Sequence, residues 1–142
     1  VRGVNMKKRY IVSGIVVLLI VFGFVWWNSK TVFLKSLSSD NISVITDRNG
    51  RTGNRFEVSN EDDISYIVEN IQCHSFHKSG ISLFRMGTWL TLSFTNEHGK
   101  IVSEFIINGN DVIRHDPFFY QIDSGDMQDI TDYLTNLEIK VE

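Results

Sequence analysis

The 142-residue sequence contains one cysteine, one proline and ten glycines, and each scarcity excludes something. A lone Cys cannot close an internal disulfide, so this is not a stapled mini-protein. A lone Pro rules out a polyproline linker, and glycine is too sparse for a collagen repeat. Hydrophobic residues make up 42% and charged residues 22%, which is too apolar for an intrinsically disordered chain. Signatures of chemistry are missing as well. There is no Gly-x-x-x-x-Gly-Lys phosphate loop and no Gly-x-Gly-x-x-Gly turn. Gly80-Ile81-Ser82 lacks the second glycine of a nucleophile elbow. The reading is therefore of a protein that is not an enzyme and carries no cofactor.

Acidic residues are absent from the first 35 positions, where Arg2, Lys7, Lys8, Arg9, Lys30 and Lys35 give a charge of +6. Residues 36–142 hold the other 8 basic and all 17 acidic residues, a net charge of −9. So acidic a domain repels phosphate, which argues against nucleic acid as a partner. Within the basic part, residues 10–27 (YIVSGIVVLLIVFGFVWW) run 18 positions without a charge. As a helix they span roughly 27 Å at ~1.5 Å per residue, close to the ~30 Å of a bilayer's hydrocarbon. Tyr10 at one end and Trp26-Trp27 at the other suit the two interfaces. The run ends in bulky residues, and positions 24–35 contain no Ala or Gly for a signal peptidase. The sole Cys is Cys73, far from where a lipid acceptor would stand. These features predict an uncleaved signal-anchor whose first partner is the lipid bilayer. Four basic residues precede it and two follow, so the N-terminus is expected in the cytoplasm and the rest outside. Met6-Lys7-Lys8-Arg9 reads as a translational start, and counting from there leaves three against two.

The expected organisation is residues 1–9 as a cytoplasmic flank, 10–27 as the transmembrane helix, 28–40 as a juxtamembrane linker and 41–142 as an extracytoplasmic domain. Val32, Phe33 and Leu37 could prolong the helix, and Ser36, Ser38, Ser39 and Asp40 read as a flexible exit. In the distal part, residues 42–46 alternate like a strand, and Asp47-Arg48-Asn49-Gly50 reads as a turn. Residues 54–59 form the return strand. Ser59 or Asn60 caps a helix whose Ile64, Ile67, Val68 and Ile71 form one apolar stripe. After an ambiguous stretch at 72–84, alternation predicts strands at 89–95, 101–108, 112–115 and 118–122. A last helix carries Met127, Ile130, Leu134 and Leu137 on one face. Short turns between strands predict an α+β fold: a mostly antiparallel sheet with two amphipathic helices packed on one face.

Two clusters invite a chemical reading. Cys73-His74-Ser75-Phe76-His77 crowds three metal-ligating types into five residues. Cys73 and His77 share a face only if one helix runs through both; on a strand they lie ~13 Å apart. Asp123, Asp126, Asp129 and Asp132 repeat at steps of three, but without an EF-hand loop they read as a solvated helix start. Neither is taken as a catalytic or metal site. Trp89, Phe118, Phe119 and Tyr120 read as packing on the sheet.

The run from Trp89 through Leu92, Phe94, Asn96, Gly99, Lys100 and Ile101, followed by Phe119-Tyr120 and the acidic-capped helix, resembles small exported domains of Gram-positive bacteria. The resemblance covers residues 41–142 and implies an α+β extracytoplasmic module with no catalytic residues to carry over. The expected function is an anchored binding module acting on an envelope or membrane protein. The alternatives are an envelope hydrolase or metal enzyme built on Cys73, His74 and His77, and an immunity or regulatory protein acting on a membrane partner.

Overall fold

The computed structural model describes residues 2–29, 34, 37–83, 85, 87 and 89–141; for 2–7 and 139–141 the backbone alone is described. Helix α1 (Arg2–Asn28) begins before the uncharged run and ends one residue after Trp27. Every residue from 8 to 28 on it is exposed, and the stretch Lys8–Asn28 is long and apolar enough to cross a membrane.

Alternating side chains then build β1 (Val44–Asn49), β2 (Arg55–Val58), β3 (Phe76–Ile81), β4 (Leu90–Thr95), β5 (Ile101–Ile107), β6 (Val112–His115) and β7 (Phe118–Ile122). They form one seven-stranded sheet in the order β2-β1-β4-β5-β6-β7-β3, with every pair antiparallel. Strands β4 to β7 are a meander joined by short turns. Helix α2 (Glu61–Cys73) carries the chain from the β2 edge to the β3 edge. Helix α3 (Gln128–Val141) closes the fold. This is the expected α+β arrangement.

One face of the sheet is buried. Ile45, Leu92, Phe94, Phe105, Ile107, Ile113, Tyr120, Ile122 and Phe76 line it, in register from β1 across to β3. Ile64, Ile67, Val68 and Ile71 of α2, with Met127, Ile130 and Leu134 at α3, pack against it. The Asn60 side chain accepts hydrogen bonds from the Asp62 and Asp63 amides, which starts α2 where the sequence places it.

Two local expectations are corrected. Leu34 and Leu37, placed in the linker by sequence, are 5% and 1% exposed and belong to the core. The Gln72 amide donates to the Leu37 carbonyl and fixes the segment to α2. Burying two leucines outweighs leaving them on a solvated exit, so the packed unit begins before residue 41. Val32, Phe33 and Ser36 lie outside the described residues. The second correction concerns Asp47-Arg48-Asn49-Gly50. Asp47 and Arg48 are paired strand residues, opposite Leu92 and Thr91 of β4. The bend comes later: Asn49 Oδ1 accepts from the Arg51 and Thr52 amides, and Gly53, not Gly50, takes positive φ (79°).

The end of α1 meets the domain at a corner of its helix-bearing face. Trp26 and Trp27 sit edge-on to Phe118 at 5.4 and 5.9 Å. Lys78 Nζ donates to the Trp26 carbonyl at 2.7 Å and lies 4.2 Å from the Trp26 ring. A cation at the carbonyl end of a helix is favoured by the helix dipole.

Candidate functional site

The sequence clusters do not assemble. Helix α2 stops at Cys73, and His77 lies on β3, so no helical face joins them. Exposed Cys73 turns its thiol to the Asn70 carbonyl at 3.0 Å. His74 lies against Gly125, and His77 Nδ1 pairs with Asp123 Oδ1 at 2.6 Å on the surface. Asp126 accepts from the Gln128 amide and so opens α3. Asp129 is an exposed residue of its first turn. Among the described residues, no three His, Cys, Asp or Glu side chains converge to hold a metal ion. Ser82, fully buried, donates to Asp116 Oδ1 at 2.5 Å, and Arg114 clamps the same carboxylate at 2.8 and 3.0 Å. Arg114 first, and Ser82 second, hold the Asp116 carboxyl below its usual range. Arg114 also donates to the Arg85 carbonyl, so this group ties the β3–β4 connection to the β6–β7 turn.

The candidate site lies elsewhere, at the end of β1, β4 and β5 under α3. It is a cleft of about 230 Å³. Leu90 and Ile107, neighbours on β4 and β5, form its apolar floor. Trp89, just before β4, forms a wall. The Trp89 ring comes within 3.8 Å of where a Cβ on Gly109 would stand, and Gly109 has φ of 99°. The Met127 amide donates to the Asn110 carbonyl at 2.6 Å, which pins the β5–β6 loop to the start of α3 as a rim.

Helix α3 supplies the opposite wall. Its core stripe is followed one step round the helix by a polar one: Gln128, Thr131, Thr135 and Glu138, with Asp132 beside them. Gln128 Nε2 donates to Asp132 Oδ1 at 2.7 Å, fixing that carboxylate at the rim.

Asp47 comes from the sheet side. Its parity on β1 matches that of buried Ile45, so it points to the helix-bearing face and is 5% exposed. Its Oδ1 is buried and has no hydrogen-bond partner among the described residues. Loss of water around the charged form pushes the Asp47 carboxyl up to about 7, with the Glu138 carboxylate adding to the effect. A buried acceptor without a donor costs about 1–3 kcal/mol, which is the kind of defect a binding site tolerates and a core does not. Sequence reasoning missed Asp47 because Asp-x-Asn-Gly reads as a turn. The available signal was the second stripe on the last helix.

The cleft's described lining carries three carboxyl groups, five uncharged polar side chains from Asn49, Asn110 and α3, an indole and no basic residue. Such a lining can accept hydrogen bonds from a donor-rich or cationic group and cover its apolar part. No family model, curated protein or solved structure matches this chain.

Proposed function

We propose that this chain is a single-pass membrane-anchored binding module, with its N-terminus in the cytoplasm and residues 34–142 presenting the α3 cleft outside the cell. The observation that carries the reading is α1. Its apolar side chains are exposed along the whole span, a length that matches the hydrocarbon of a bilayer, and lipid covers such a surface without cost. The excess of Lys and Arg before the span supports the orientation, as does the −9 charge beyond it, which an anionic inner leaflet repels. The resemblance to exported Gram-positive domains points the same way. Contact of Trp26 and Trp27 with Phe118 holds the domain close to the bilayer, where tethering raises its effective concentration for a membrane-bound partner.

Exposed Cys73, the single thiol of the sequence, is a built-in reporter of sidedness. A membrane-impermeant maleimide should label Cys73 on intact cells, and Cys73→Ser should abolish the signal. Labelling that requires lysis refutes the orientation; a chain that leaves the membrane in carbonate refutes the anchor.

A further inference from the structure

We infer that the cleft between α3 and the β1-β4-β5 end of the sheet is a binding site for a primary ammonium group on a short aliphatic stem, received by Asp47. The assignment rests on the binding-module reading of this domain and names the ligand class of its cleft.

Four features of the cleft select that chemistry. First, the Asp47 carboxyl lines the cleft, and its buried Oδ1 has no hydrogen-bond partner among the described residues. One such oxygen matches a compact ammonium better than the flat two-toothed fork of a guanidinium. Second, Glu138 and Asp132 add negative charge from α3, and among the described lining residues there is no Lys, Arg or His to oppose a cation. Third, Trp89 offers an aromatic face and Leu90 an aliphatic floor, which suit an alkyl stem and a nearby cation. Fourth, about 230 Å³ lies below the roughly 300–1,000 Å³ of sites for drug-sized molecules, so the occupant is a fragment or a side chain. A bare metal ion is the poorer match, since three ligating groups do not converge among the described residues.

The ammonium has two possible sources: a free small amine or a lysine side chain of a neighbouring polypeptide. Both share the recognised group, and the experiment separates them.

Binding an ammonium stabilises ionised Asp47 and expels its proton. With the empty carboxyl at about 7, raised by burial and then by Glu138 of α3, and with Asp132 of α3 also on the lining, affinity should rise about tenfold from pH 6 to pH 8. At pH 7 about half a proton should be released per ligand bound.

The test is calorimetric titration of the full chain in lipid nanodiscs. The probes are n-butylammonium, a blocked Gly-Lys-Gly peptide, butan-1-ol, butylguanidinium and calcium. Binding of either ammonium probe, with the stated pH dependence and proton release, supports the assignment; the tighter of the two identifies the source. Asp47→Asn should lower that affinity at least tenfold while the near-ultraviolet circular dichroism stays native. Glu138→Gln should weaken binding less and shift the pH midpoint downward. Equal binding of butan-1-ol, preference for butylguanidinium or calcium, or undiminished binding by Asp47→Asn would each overturn the assignment. So would native wild-type protein that binds neither ammonium probe at 10 mM. None of these results bears on Cys73 labelling, so failure of the ligand class and failure of the sidedness remain distinguishable.

Discussion

Replacing Asp47 with Asn should stabilise the protein at neutral and alkaline pH, and the gain should vanish in acid. The folded carboxyl titrates near 7, against 3.8 for an unconstrained Asp. Because the folded-state value is raised, the native chain holds a proton that the unfolded chain has lost between those two values. Stability from this group is therefore complete below about pH 4, falls as pH rises, and is fully lost above about 7. Each unit of difference is worth about 1.4 kcal/mol, so the ionised carboxylate costs the native state up to roughly 4 kcal/mol at pH 8. Asn has nearly the same shape and never ionises. At pH 4 it replaces a neutral carboxylic acid and should change stability by no more than about 1 kcal/mol. The measurement is urea unfolding of the full chain in nanodiscs at pH 4, 6 and 8, followed by near-ultraviolet circular dichroism. Subtracting wild type from variant cancels the other titrating groups. A difference that widens with pH, by several kcal/mol overall, is the expected outcome. Parallel curves would mean that Asp47 is solvated or paired, and the account of the cleft would fail with it.

Three further outcomes follow from the packing. Leu37→Ala should cost about 2–5 kcal/mol in the same unfolding assay, because Leu37 is 1% exposed inside the core; a loss under 0.5 kcal/mol would return it to the linker. Asn60→Ala should cost about 1 kcal/mol by removing the side chain that caps the Asp62 and Asp63 amides, whereas Asn60→Ser should retain most of the stability. Gly109→Ala should lower stability by about 1 kcal/mol or more, since φ of 99° strains an L residue, while its Cβ, 3.8 Å from the Trp89 ring, makes only ordinary contact. Unaltered stability in the same unfolding assay would contradict that strain.

Most of the architecture was legible along the chain because it depends on local periodicity. Ile64, Ile67, Val68 and Ile71 announce one buried helical face, and all four are buried. Leu92 and Phe94 alternate with Thr91 and Ser93, and the sheet buries the former pair. Asn60 caps α2 through bonds that span two and three residues, so the sequence neighbourhood contains the whole device. The cleft was not legible, because its walls come from residues 47, 89, 107 and 138, which the chain separates and the sheet register brings together. The misplaced turn has the same origin. Asp-Arg-Asn-Gly favours a bend locally, but pairing of Asp47 with Leu92 and of Arg48 with Thr91 keeps those residues extended.

By itself, then, the sequence determined an uncharged span of 18 residues, an acidic α+β domain behind it and every strand and α-helix of that domain except β3, which fell in the ambiguous stretch at 72–84; these rest on composition and on periods of 2 and 3.6 residues. Only the tertiary structure decided that Leu34 and Leu37 join the core, that Cys73 and His77 stay apart, and that Asp47 is buried, its Oδ1 without a donor among the described residues, facing Glu138 across a cleft. The difference is physical. Hydrophobic patterning specifies which face of each element is covered, whereas the charge state and partners of a buried group depend on what the covering element brings, and that is set by contacts between residues far apart in the chain.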